Sequence, residues 1–126
     1  VISVKNDIIR LTIPSKPDYI SVVRLTSSSI ASKLGLSIDE IEDIKVSLSE
    51  ACTNALTRTD EINIKFEIFD DRFVIIVDNV ALPEHNEDTL IRESNLGILI
   101  MKSLMDEVNF TEKGVEMIKH LKDGNR

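Results

Sequence analysis

Glu50 and Asn54 stand four residues apart in the run SIDEIEDIKVSLSEACTNALTRTD, residues 37–60. On a helix that spacing sends both side chains from one face, about one turn from each other. One hydrated cation or one phosphate can bridge that separation. Without companions such a pair is more often a solvated helix face, so its meaning depends on the rest of the chain. Other chemistry-bearing residues point less clearly to a site. Cys52 falls on the apolar stripe of the same helix and reads as a small core residue. His85 and His120 have no Cys or His at ligand spacing, and the acidic residues between Glu84 and Asp88 lack the glycine and regular oxygen ligands of a calcium loop.

The elements that must position the pair follow from periodicity. Residues 8–13 alternate, with β-branched side chains on both faces, and read as a strand that stops at Pro14. Ser15 and Asp18 form a capping-box pattern with Pro17 in the first turn, predicting a helix over residues 16–34. Its apolar positions are Ile20, Val23, Ser27, Ile30, Ala31 and Leu34, and Gly35 supplies the left-handed stop. Ser37 and Glu40 form a second capping box. They open a helix whose buried stripe is expected to be Ile38, Ile41, Ile44, Leu48, Cys52 and Ala55.

Beyond Asp60, residues 62–69 and 73–77 alternate as two strands joined by a tight turn at Asp70-Asp71. Asp78-Asn79 ends the second strand, and residues 81–95 lose periodicity, predicting a mobile polar loop. Residues 96–105 regain helical character, residues 108–111 form a short strand, Gly114 a turn and residues 115–121 a last strand. No repeat or linker divides residues 1–126, so a single domain is expected. The order predicts an α+β two-layer sandwich, with a mixed, mainly antiparallel sheet covered on one face by helices.

Composition narrows the partners. With 126 residues, 42% of them hydrophobic and 29% charged, the chain has the makings of one ordinary globular core. Its 22 acidic and 15 basic residues leave a net charge of -7, which disfavours binding to nucleic-acid phosphates or anionic membranes. A protein or small ligand is the expected partner. The single cysteine, with no internal partner, predicts a reducing, cytoplasmic setting, and no run approaches the length of a membrane helix.

Three stretches together resemble one family. They are VSLSEACTNAL at residues 46–56, VDN at 77–79 and NLGILIMKSLMDEV at 95–108. In this order and at these separations they resemble the bacterial anti-sigma factor serine-protein kinases of the GHKL ATPase superfamily, across nearly the whole chain. The resemblance implies a GHKL (Bergerat) sandwich with ATP and Mg²⁺ as cofactors. It implies that Glu50 acts as base toward an attacking hydroxyl and that Asn54 is a Mg²⁺ ligand. Asp78, with Asn79, would meet the adenine amino group; Leu96 and Gly97 would admit phosphate where a helix begins. Arg24, closing IPSKPDYISVVR at residues 13–24, matches an arginine that family members use to engage both a sigma factor and the phosphorylated substrate. A homodimer is implied as well.

The chain departs from the family's pattern at three points. Val80 stands where glycine usually follows the Asp-Asn pair, Asn95 where a glycine precedes Leu96-Gly97, and Arg58 where a histidine follows the asparagine helix. A β-branched residue resists positive φ, and the acidic residues Glu84, Glu87, Asp88 and Glu93 would oppose a triphosphate beneath them. Two readings therefore stay open. One is an anti-sigma factor that sequesters a sigma factor and, with Mg-ATP, phosphorylates a serine or threonine of an antagonist protein. The other is a protein-binding module of the same fold without nucleotide or kinase activity. A histidine kinase would need an attached phospho-acceptor helix pair, for which a complete chain of this length has no room.

Overall fold

A computed structural model describes residues 6–82 and 89–122, with the backbone alone for 89–94. Strand β1 (Asp7–Pro14) leads through a single 3-10 turn (Pro17–Tyr19) into helix α1 (Ile20–Lys33) and then helix α2 (Ile38–Ala55). Strands β2 (Glu61–Ile68) and β3 (Arg72–Asp78) form a hairpin, closed where the Phe69 amide donates to the Arg72 carbonyl at 2.9 Å. Helix α3 (Thr89–Leu104) and the hairpin of β4 (Glu107–Phe110) and β5 (Gly114–His120) complete the chain. The sheet order is β1-β2-β3-β5-β4, and every described pairing is antiparallel, which narrows the mixed sheet expected from the sequence.

Strand pleating divides the side chains between two faces. Ile62, Ile64 and Phe66 of β2, Phe73, Ile75 and Val77 of β3, and Val115 and Met117 of β5 join the main core with the helices, and Phe66 and Phe73 stack at 6.1 Å between ring centroids. From α2, Ile44, Leu48, Ala51, Cys52 and Ala55 are wholly buried against this layer. Burial without a charged neighbour pushes the Cys52 thiol up to about 12. From α1, Ile20, Val23, Ser27, Ile30 and Ala31 are buried at helical spacing, as the sequence predicts. Gly35 has a φ of 76°, the left-handed stop expected after that helix.

Lys119 is the one buried charge among the described residues. It lies on the same side of β5 as Val115 and Met117, and its Nζ donates to the Leu104 carbonyl at 3.2 Å, where α3 ends. Asp43 of α2 and Asp106 lie 4.0 and 3.9 Å away. A cation at the negative end of a helix, flanked by two carboxylates, is compensated for its burial. It ties α2, α3 and the sheet at one point.

Four local expectations are corrected. The Ser15/Asp18 capping box does not form: Lys16 is the N-cap, without a side-chain cap, and the Ser15 hydroxyl is buried with no hydrogen-bond partner. Pro17 instead sets a 3-10 turn before the α-helix starts at Ile20. Ile38, assigned to the buried stripe, is 80% exposed, at the first residue of α2. The polar loop expected through Asn95 gives way to helix already at Thr89, so hydrogen bonding along the backbone overrides the absence of apolar periodicity. Gly97 consequently lies in mid-helix and not at a helix start. The acidic stretch Glu84 to Asp88, with His85, lies outside the described residues. No described helix is long and apolar enough to cross a membrane.

The second capping box is present in full. The Ser37 amide donates to Glu40 Oε1 at 3.0 Å and the Glu40 amide to Ser37 Oγ at 3.1 Å. That backbone bond from Ser37 holds the Glu40 carboxyl below its ordinary value of 4.5, against the opposing effect of burial. A carboxylate with a lowered folded-state pKa contributes stability above its unfolded value and loses it as pH falls through the folded one. Ser37→Ala should therefore lower unfolding stability by about 1 kcal/mol at neutral pH. In urea titrations repeated in acid, Glu40→Gln should lose less stability between the two conditions than the native chain does.

Candidate active site

Helix α2 carries two opposed surfaces. The dry stripe from Ile44 to Ala55 fixes its rotation on the sheet, and that rotation leaves Glu50 and Asn54 half-buried at the rim. Glu50 looks toward α3. A Cβ added at Gly97 would stand 2.7 Å from Glu50 Oε1, so the carboxylate occupies space that any other residue at 97 would contest. The glycine is thus a recess for the Glu50 head. Its freedom of φ is not the point, since its backbone is helical.

Asn54 is held at both ends of its amide. Its Nδ2 donates to the Ala81 carbonyl at 3.1 Å, and the Ala81 amide donates back to Oδ1 at 3.2 Å. The Arg58 Nε donates to the same Oδ1 at 3.1 Å. These partners fix which end of the amide carries the oxygen. The clamp draws the segment leaving β3 against α2. Val80, next to Ala81, is 2% exposed and belongs to the core. The positive φ in this segment falls on Asn79, at 63°, a residue type that tolerates it, and Val80 is spared the strain expected for a β-branched residue there.

Arg24 and Glu50 share a groove of about 320 Å³ between α1 and α2, completed by Glu42, Lys45, Val46 and Ser49. The Arg24 side chain is exposed, as is Leu25 at 68%. On α3, Leu96 is 58% and Leu99 60% exposed. Asp78 is placed differently. Val77 points into the core opposite Val115, and Asp78 lines a separate depression of about 350 Å³ with Arg10, Thr12, Asn63, Lys65 and Lys113, on the sheet face away from the helices. The structure therefore gathers Glu50 with Gly97 and with Arg24, and Asn54 with Arg58 and Ala81. It does not bring Asp78 beside them.

Sequence reasoning passed over Arg58 as a partner of Asn54, although the signal was available. Glu50, Asn54 and Arg58 continue one i, i+4, i+8 ladder, and the turn after Ala55 preserves it. Ala81 left no such trace, because it acts through its backbone.

The residue types suit a nucleotide with a hard cation. An amide oxygen and a carboxylate at one rim are oxygen donors of the kind such a cation takes.

A helix-and-sheet sandwich with this helix at its rim defines a class, and comparison with known proteins identifies it. Residues 13–119 match the family described as the histidine kinase-like ATPase domain, and the chain belongs to that family. Among its relatives is Serine-protein kinase RsbW of Bacillus licheniformis, 42% identical over 81% of this chain and 76% of the relative. Proteins of the same name from Bacillus subtilis and Staphylococcus epidermidis are 37% identical over 91% of this chain and 86% of theirs, and 39% identical over 92% and 88%.

The Gly97 recess gives a direct test. Gly97→Ala should leave unfolding stability within about 1 kcal/mol, because alanine's helix propensity offsets displacement of a flexible carboxylate tip. Gly97→Leu should lose about 1–3 kcal/mol by forcing α2 and α3 apart, as measured by thermal denaturation.

Proposed function

We propose that the chain is an ATP-dependent serine-protein kinase and anti-sigma factor. In this reading it sequesters a sigma factor and, with Mg-ATP, phosphorylates a serine or threonine of an antagonist protein, working as a homodimer in the cytoplasm. The observation that carries the reading is the rim of α2, where Glu50 fits the Gly97 recess and opens onto the groove that Arg24 lines. Membership of the ATPase family and the kinase name of its relatives support it.

Phosphoryl transfer asks a protein chiefly for positioning and charge stabilisation. The substrate hydroxyl enters the groove beside Arg24 and meets the Glu50 carboxylate, which takes its proton as the oxygen attacks the γ-phosphorus. The bond from that phosphorus to the β-phosphate oxygen breaks, and ADP leaves. Asn54 is the residue that would hold Mg²⁺, whose contribution is to neutralise phosphate charge. Leu96 and Gly97 are assigned to the phosphates on the family resemblance alone, since Gly97 lies in mid-helix against Glu50. Asp78 and Asn79 are assigned to the adenine on the family resemblance alone, since Asp78 faces the other depression.

A second reading, a binding module without nucleotide, draws support from Asn54, whose amide is fully engaged with Ala81 and Arg58. Calorimetry with Mg-ADP separates the two. The kinase reading predicts binding that depends on Mg²⁺ in the native chain and loses that dependence in Asn54→Ala; absence of heat at millimolar nucleotide would refute it. Glu50→Gln should keep nucleotide binding while phosphorylation falls on the order of a hundredfold or more.

A further inference from the structure

Asn54 Oδ1 has two lone pairs, and both are taken, one by the Ala81 amide at 3.2 Å and one by Arg58 Nε at 3.1 Å. The two donors differ in what holds them. Ala81 is bound twice, since its carbonyl also accepts from Asn54 Nδ2, and it follows the buried Val80. Arg58 is exposed, stands beyond the end of α2 and carries a positive charge. If Asn54 is to give an oxygen to a cation, one donor must withdraw. A guanidinium beside a divalent cation is repelled, whereas a neutral amide is not.

We propose that Arg58 is a positioning residue that occupies the cation's place on Asn54 in the free protein and leaves it on loading. The Ala81 clamp stays closed throughout and keeps Oδ1 aimed. Arg58 thus orients the asparagine oxygen while the site is free and sets a threshold for Mg²⁺. This inference rests on Asn54 being the metal ligand, as assigned above.

The test reads Mg²⁺ dependence and not turnover. ADP binding is followed by calorimetry over a Mg²⁺ series at constant ionic strength, in the native chain, Arg58→Ala, Arg58→Gln, Asn54→Ala and the Asn54→Ala/Arg58→Ala pair. Arg58→Ala should lower the half-saturating Mg²⁺ concentration by roughly two- to fivefold, the range set by losing one exposed charged bond. ADP affinity without Mg²⁺ should not change. Arg58→Gln, which can still donate a hydrogen bond but carries no charge, should fall between the native chain and Arg58→Ala. The effect should vanish in the double variant.

A spectroscopic arm reports the exchange itself. On addition of Mg-ADP the Arg58 Nε–H resonance should shift and exchange faster with solvent, while the Ala81 amide keeps its protection. An unchanged or raised Mg²⁺ requirement in Arg58→Ala overturns the inference, as does loss of Mg-free ADP affinity, which would make Arg58 a phosphate contact. Deprotection of Ala81 with Arg58 unmoved overturns it too. Failure of the native chain to bind nucleotide, or Mg²⁺ dependence that survives Asn54→Ala, strikes the ligand assignment itself and this inference with it.

Discussion

Helix α2 can offer polar groups at its rim only because its other side is dry. Ile44, Leu48, Ala51, Cys52 and Ala55 are wholly removed from water, and at about 25 cal/mol per Å² of apolar surface such a stripe fixes the helix's rotation on the sheet more firmly than any surface pair could. A turn of the helix by one residue, about 100°, would expose that stripe and carry Glu50 away from Gly97 and Asn54 away from Ala81. The position of the candidate site is therefore a consequence of core packing. The polar contacts refine it.

Two helices and one strand exit meet at that rim, each constrained for a different reason. Helix α3 approaches closely because residue 97 has no side chain, and its far end is tethered where Lys119 donates to the Leu104 carbonyl. The segment after β3 is held by the Asn54 clamp, with Val80 as its apolar anchor. Valine at position 80 is thus accommodated by the core, and the positive φ of this turn falls on Asn79.

Much of the fold was legible because periodicity and turn chemistry agreed. The capping box at Ser37, the stop at Gly35 and the turn at Asp70-Asp71 each name a local geometry that a few residues determine. The failures share a cause. Ser15 and Asp18 satisfy the capping pattern, yet the chain there chose a 3-10 turn, and residues 89–95 look polar and aperiodic yet coil as the first turns of α3. In both places local preference is weak and the outcome is set by what the helix does further along. The site was legible as a helix ladder through Glu50 and Asn54. Ala81 was not, because a backbone partner has no residue type to betray it, and the sheet face on which Asp78 falls depends on pairing with β5.

The buried thiol of Cys52 has an implication of a different kind. With its pKa near 12 and no exposed surface, it offers oxidants neither a thiolate nor a path, so the helix that carries Glu50 and Asn54 is insulated from changes in cellular redox state. It is also the chain's only sulfhydryl. Any thiol reagent that labels the protein must wait for α2 to leave the sheet, which makes the rate of labelling an internal clock for the opening of the core.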